Sequence, residues 1–228
     1  MCVSVPERLR PLLAQYDHAC DRLVRRMAGP VFDSGNGVLL RVDAMPDEEL
    51  LWEPVRGCWS LRPRSQGPGP GALSLAGAGP WGRDSAPEAP WPPPVTTIAW
   101  RLSHLTEMLA MRADWTTGAH ALRRDQHLSC GRAAEAVADF GRAVAAWREA
   151  VVSAGDAELD QVGRSTHPHG SDAEEPFLDV VWWATRRCST TAPRSPSSAT
   201  STGSRRVEDN ASRSLLHCVA NAAVFRSA

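Results

Sequence analysis

Lysine is missing from this chain: all 25 basic side chains are arginine. Isoleucine and tyrosine occur once each, as Ile98 and Tyr16. These are the amino acids with AT-rich codons, so the gene is GC-rich. Long apolar runs are also missing. Nothing approaches the roughly 20 apolar residues that cross a bilayer, and the opening MCVSVPERLR lacks the unbroken apolar stretch of a secretion signal. A cytoplasmic protein with no membrane partner is expected. Surplus charge of either sign is absent too: the net charge is −1, and the arginines are scattered rather than striped along one face. No electrostatic case for nucleic acid follows. The six cysteines (Cys2, Cys20, Cys58, Cys130, Cys188, Cys218) make no CxxC pair and no zinc-finger spacing, and in a reducing compartment they read as free thiols. No GxSxG nucleophile turn occurs. The glycine-rich GPGPGAL lacks the lysine and following helix of a phosphate loop.

What is present is helical periodicity. Over residues 6–29, Leu9, Leu12, Leu13, Tyr16, Cys20, Leu23, Val24 and Met27 recur at helical spacing, with Gly29 and Pro30 as the stop. PDEELLWEP then starts a short helix with Pro46 and three acids at the positive end of its dipole, and Leu50, Leu51 and Trp52 should pack inward. Residues 62–94 are rich in proline and glycine and read as an irregular, partly disordered excursion.

The segment VTTIAWRLSHLTEMLAMRADW carries the most information. Thr96 or Thr97 caps it, and Ile98, Leu102, Leu105 and Leu109 form one apolar stripe. Trp100, His104, Met108, Met111 and Trp115 form a second, so His104 lies on an inward face. An inward neutral imidazole is either a core histidine bonded to a neighbour, the commoner case, or a metal ligand. A third long helix over residues 132–152 buries Ala133, Val137, Phe140, Val144, Trp147 and Val151. The loop SAGDAELDQVGRSTHPHGSDAEEP holds His167, His169, Asp172, Glu174 and Glu175. Its polarity, with Pro168 between the histidines, favours a solvated connector over a cation site. Pro176 suits the first turn of a fourth long helix opening FLDVVWW. The expected fold is all-α, a four-helix bundle.

The succession EELLWEP with GCWSLRPR, then PPVTTIAWRLSHLTEM, then HPHGSDAEEPFLDVVWW, resembles the DinB family of metal-dependent enzymes, in the form common in GC-rich actinobacteria. Related bundles include thiol-dependent transferases and isomerases of the mycothiol-dependent maleylpyruvate isomerase type. The resemblance implies a divalent metal, zinc or nickel, held by one histidine of the second long helix and two ligands a turn apart on the fourth. It further implies a small-molecule substrate, thiol-transfer or hydrolytic chemistry, a low-molecular-weight thiol such as mycothiol as co-substrate, and room for a homodimer. His104 matches the first ligand. The fourth helix has no histidine or carboxylate between Trp182 and Gly203, where the others should stand.

Instead, a Ser/Thr/Pro tract follows. A reading-frame shift near Thr185 accounts for both the interrupted helix and the missing ligands. Serine codons of the TCN type read as NTC, always apolar, and threonine codons read as NAC, which gives His, Asn, Asp or Tyr. With GC-favoured wobble bases, the shifted frame sets histidines over Thr190 and Thr191 and a glutamate over Arg194, two of which share a helix face at a spacing of four. On this reading residues 1–185 are the bundle and residues 186–228 are a frameshifted, disordered tail. A genuine low-complexity tail is the other reading. Either way the fourth helix is cut short by Pro193 and Pro196, which should expose Leu102, Val144 and Trp147 and make the chain poorly soluble or oligomeric. As written it should bind metal weakly, as a degenerate helical domain, because a lone His104 offers one of the three or more protein donors required.

Overall fold

The first helix, α1 (Arg10–Ala28), follows a turn opened by Pro6 and ends where Gly29, at φ 39°, donates its N–H back to the Arg25 carbonyl. Leu13, Tyr16, Cys20, Leu23 and Met27 are its buried residues. The computed structural model describes residues 5–29, 31–33, 40–88 and 90–190. The strands β1 (Val31–Asp33) and β2 (Leu40–Val42) pair antiparallel, Phe32 opposite Arg41. The short helix α2 (Asp47–Leu50) buries Leu50 fully, half-buries Leu51 and leaves Trp52 outside. Trp52 therefore does not pack inward as expected. The reason is length: α2 ends at Leu50, so the helical face that Leu50 shares with the core does not continue to Trp52. One acid of this helix acts elsewhere. Asp47 Oδ1 accepts the Ala133 N–H at 2.6 Å and so satisfies an N–H of a later helix that has no carbonyl of its own turn to meet.

The proline- and glycine-rich excursion is folded, not irregular. It forms a three-stranded antiparallel sheet in the order β3 (Leu61–Pro63), β5 (Trp81–Ser85), β4 (Ser74–Ala76). The centre of that order is Asp84, fully buried. Its carboxylate accepts the Ser60 N–H, the Gly69 N–H and Arg62 Nε, each at 2.8 Å. Three donors on one buried anion hold segments that have no apolar stripe of their own. Gly77, at φ 90°, sits where a Cβ would stand 2.7 Å from the His127 carbonyl oxygen, so this turn requires glycine. The sheet is tied to the start of α3 (Ile98–Thr117) by reciprocal backbone bonds: Trp59 N–H to the Val95 carbonyl and Thr97 N–H to the Trp59 carbonyl.

Thr97 caps α3, its hydroxyl accepting the Trp100 N–H at 3.2 Å. Helix α3 packs along α4 (Ala133–Val152), and α1 packs against both α4 and α5 (Phe177–Thr190). Tyr16 Oη donates to the Val144 carbonyl at 3.1 Å across the α1–α4 seam, and Trp147 meets Phe177 edge-on at 6.0 Å. The fold is thus mainly helical with a small sheet, rather than purely α. Leu102 and Trp147 are buried, 4 % and 1 % exposed, and Val144 is partly buried against the same core. They are not left bare: α3 and α4 pack on each other, the α1 side chain of Tyr16 bonds at Val144, and Phe177 at the start of α5 meets Trp147. Of the tail expected over residues 186–228, residues 186–190 continue α5 as helix; the remainder, and the stop expected at Pro193, lie outside the described residues. Among the described residues no helix is long and apolar enough to cross a membrane.

Candidate functional site

His104 stands in the second turn of α3, on the stripe the spacing gave it: Met108 and Met111 are buried, and the Trp100 ring lies 5.3 Å from the imidazole. Its edge keeps some solvent contact, yet the ring is packed deep among side chains. Loss of solvent, followed by the charges of Arg83, Arg124, Arg187 and Arg112, holds its pKa well below the ordinary histidine range. The imidazole is neutral at pH 7.

Those four guanidiniums are each held by partners of their own. Arg83 comes from β5 and is almost fully buried. Its Nη2 donates to Glu107 Oε2 at 2.7 Å and its Nη1 to Ser103 Oγ at 3.3 Å, while its guanidinium lies 5.5 Å from the Trp100 ring centre. Arg124 closes on the other oxygen of the same carboxylate, Nε to Oε1 at 3.0 Å. Glu107 itself is buried, 2 % exposed. Arg112, also buried, is ion-paired with Asp172: Nη2 donates to Oδ1 at 2.8 Å, and Nε lies 2.8 Å from Oδ2 without the alignment of a hydrogen bond. The Trp183 ring is flanked by Arg112 at 4.4 Å and Arg187 at 4.6 Å, so α5 turns Trp183 and Arg187 toward α3.

The loop before α5 is a solvated connector only in part. Ser165, His167 and Asp172 are buried because Asp172 is the counter-ion of Arg112, and a buried guanidinium draws its carboxylate in with it. His167 Nδ1 lies 2.6 Å from the His169 carbonyl oxygen, and burial, then the charge of Arg112, pushes its pKa down to about 4. His169, Glu174 and Glu175 face outward and do not join His104. Cys58 is a fully buried loop cysteine whose carbonyl accepts Arg62 Nη2 at 3.1 Å. Sequence reading found His104 but missed the arginine–carboxylate network around it. The only signal was the pattern of single acids and arginines inside apolar segments, Glu107 and Arg112 on α3 and Asp84 beside Arg83.

The fit of a divalent metal can be judged from these donors. A guanidinium has no lone pair to offer and carries the charge of the ion it would face. The two carboxylates nearest the arginines are each already engaged, Glu107 by Arg83 and Arg124 and Asp172 by Arg112. Among the described residues no three His, Cys, Asp or Glu side chains gather as ligands. Among the described residues, the donors around His104 do not fit zinc or nickel.

A mainly helical domain with a small sheet turns one histidine, His104, inward from its second long helix beside Trp100. The DinB superfamily family model matches residues 35–186, about two thirds of the chain, and the chain belongs to that superfamily. No curated protein and no solved structure matches it.

Proposed function

We propose that this chain is a DinB-type four-helix bundle, made by α1, α3, α4 and α5, in which the metal-dependent thiol-transferase or hydrolase chemistry of the superfamily is impaired. As written it serves as a helical binding domain without that chemistry. One observation carries the reading: the charges of Arg83, Arg124, Arg187 and Arg112 act on the inward histidine expected as a metal ligand, and guanidiniums repel a cation and cannot coordinate it. The family match supports it from the other side, since it ends at residue 186, just before the Ser/Thr/Pro tract that runs from Cys188. The frame shift near Thr185 belongs to the same proposal. In the shifted frame the histidines over Thr190 and Thr191 follow Arg187 by three and four residues, the helical spacing that continues the face turned toward His104.

Two measurements test this. Titration of zinc and of nickel into the purified chain, followed calorimetrically and by metal analysis after dialysis, should give weak binding, unchanged in His104→Ala. Stoichiometric binding that survives dialysis and is lost in His104→Ala would overturn it. Resequencing the source DNA across the codons for residues 177–203 tests the frame, and a confirmed frame leaves the chain a decayed or repurposed domain.

A further inference from the structure

One thiol outside the arginine network can be reached from solvent. Of the described cysteines, Cys20, Cys58 and Cys188 are buried and Cys130 is not. The approach to α4 sets its place: Gly131 passes the Trp81 ring so closely that a Cβ there would run into it, which holds Cys130 just ahead of the helix. Arg132 is the N-cap, and its N–H reaches Cys130 Sγ at 3.4 Å. Glu135, in the first turn, accepts from the same sulfur, Sγ to Oε2 at 2.8 Å, and pairs with the Arg132 guanidinium. The thiol thus has a carboxylate to take its proton and a backbone N–H facing the sulfur that remains.

A separate observation gives this thiol something to act on. Cys130 lines a half-open cleft between the first half of α3 and the segment leading into α4, together with Leu102, Ser103, Thr106, His127 and Ser129. The room inside is that of about one water-sized molecule. Ser103 and Ser129 satisfy each other at 2.7 Å. His127 does not share in this. It is 9 % exposed, its backbone N–H and carbonyl are taken by Arg124 and Ala78, and its imidazole has no hydrogen-bond partner among the described residues. Loss of solvent holds the ring below the ordinary histidine range, so at pH 7 it is neutral, with one N–H and one lone pair. A ring buried in that state is completed by a small polar molecule that both donates and accepts.

We infer that Cys130 is a peroxide-reactive thiol and that the cleft beside it receives the hydroperoxide. A hydroperoxide is neutral, small, and carries both the donor and the acceptor that His127 lacks. Cys130 Sγ attacks the nearer oxygen as the thiol proton passes to Glu135. The S–O bond forms, the O–O bond breaks, and the leaving oxygen departs as hydroxide, which takes the proton from Glu135 and becomes water. The sulfur is oxidised to a sulfenic acid and the peroxide is reduced. His127 orients the hydroperoxide through hydrogen bonds and neither gains nor loses a proton.

The test uses the full chain with hydrogen peroxide as probe. A chelator in the buffer keeps metal out of the readout, so this inference and the proposed function fail separately. Brief exposure with dimedone present traps a sulfenic acid, and mass spectrometry of the digest gives the labelling rate of each cysteine peptide. Cys130 should carry the adduct, at least about tenfold faster than in the urea-unfolded chain, and Glu135→Gln should slow it by about tenfold or more. His127→Leu should slow it similarly, while His127→Gln, which keeps a donor and an acceptor, should restore most of the rate. Iodoacetamide needs the thiol but not the cleft, so it should label Cys130 in His127→Leu as in the parent. Glu135 is exposed, so Glu135→Gln keeps the test open if His127→Leu does not fold. Labelling of Cys130 no faster than in the unfolded chain, faster labelling of Cys2 or Cys218, or parent rates in Glu135→Gln would overturn the proposal. So would a folded His127→Leu that reacts with peroxide at the parent rate, or one that loses iodoacetamide labelling to the same degree.

Discussion

Removing the carboxylate of Glu107 is the sharpest test of how the inner surface is held. In Glu107→Leu, Arg83 keeps its burial but loses its 2.7 Å partner, and its remaining hydrogen bond is the 3.3 Å contact to Ser103. Arg124 loses the same carboxylate, yet it is half exposed and water replaces the bond, so its share is about 0–1 kcal/mol. Stranding a buried guanidinium costs about 3–5 kcal/mol. For a chain of this length that lowers the thermal midpoint by roughly 6–20 °C. The double variant Arg83→Met with Glu107→Leu removes both charges and restores apolar contact with Trp100. It should recover most of the loss, to within about 1–2 kcal/mol of the parent. Urea unfolding followed by tryptophan fluorescence gives both values, and the coupling is the failure of the single changes to add. If Glu107→Leu unfolds within about 1 kcal/mol of the parent, the pair is not desolvated as described. If the double variant is as damaged as the single, shape rather than stranded charge explains the cost.

Three further outcomes follow from the same structure. Asp84→Ala strands the Ser60 and Gly69 N–H groups and Arg62, and should cost about 3–5 kcal/mol, with amide exchange accelerated first across the three-stranded sheet; uniform acceleration along α3 and α4 would contradict a local role. His167 titrates near 4 when folded against 6.5 when unfolded, so its contribution is complete above about pH 6.5 and is lost as pH falls toward 4, a total of about 3 kcal/mol; the stability slope over that window should flatten in His167→Gln, and an unchanged slope would refute the assignment. Thr185 Oγ1 is buried without a hydrogen-bond partner, so Thr185→Val should be neutral or stabilising by up to about 1–2 kcal/mol, and a loss of more than 1 kcal/mol would show that the hydroxyl has a partner.

The helices were readable because their signal is periodic. Leu13, Tyr16, Cys20, Leu23 and Met27 repeat at helical spacing, and that repetition alone assigns α1 its face. The same holds for α3, where Thr97 caps and His104 points inward as its stripe requires. The sheet of the excursion was hidden for the opposite reason. Its strands are three to five residues long, and β5 reads WGRDS, with no alternation to betray it. What fixes that sheet is Asp84 gathering donors from Ser60, Arg62 and Gly69, which are 15 to 24 positions away.

The site divides in the same way. Local spacing fixed that His104 sits on an inward face of a capped helix, because side-chain direction on a helix depends only on residue number. It also fixed the absence of a second histidine or any carboxylate from Trp182 to Gly203, which is a matter of composition. Tertiary structure alone decided what His104 meets. The charges acting on it come from Arg83 on a strand, Arg112 on its own helix, Arg124 in the following loop and Arg187 on α5; Arg83, Arg112 and Arg124 are held by carboxylates 17 to 60 positions away, and Arg187 lies over Trp183 one turn earlier on α5. Charge pairing acts through space over a few ångströms and leaves no period along the chain, so only the folded arrangement brought the charges of these arginines to bear on His104.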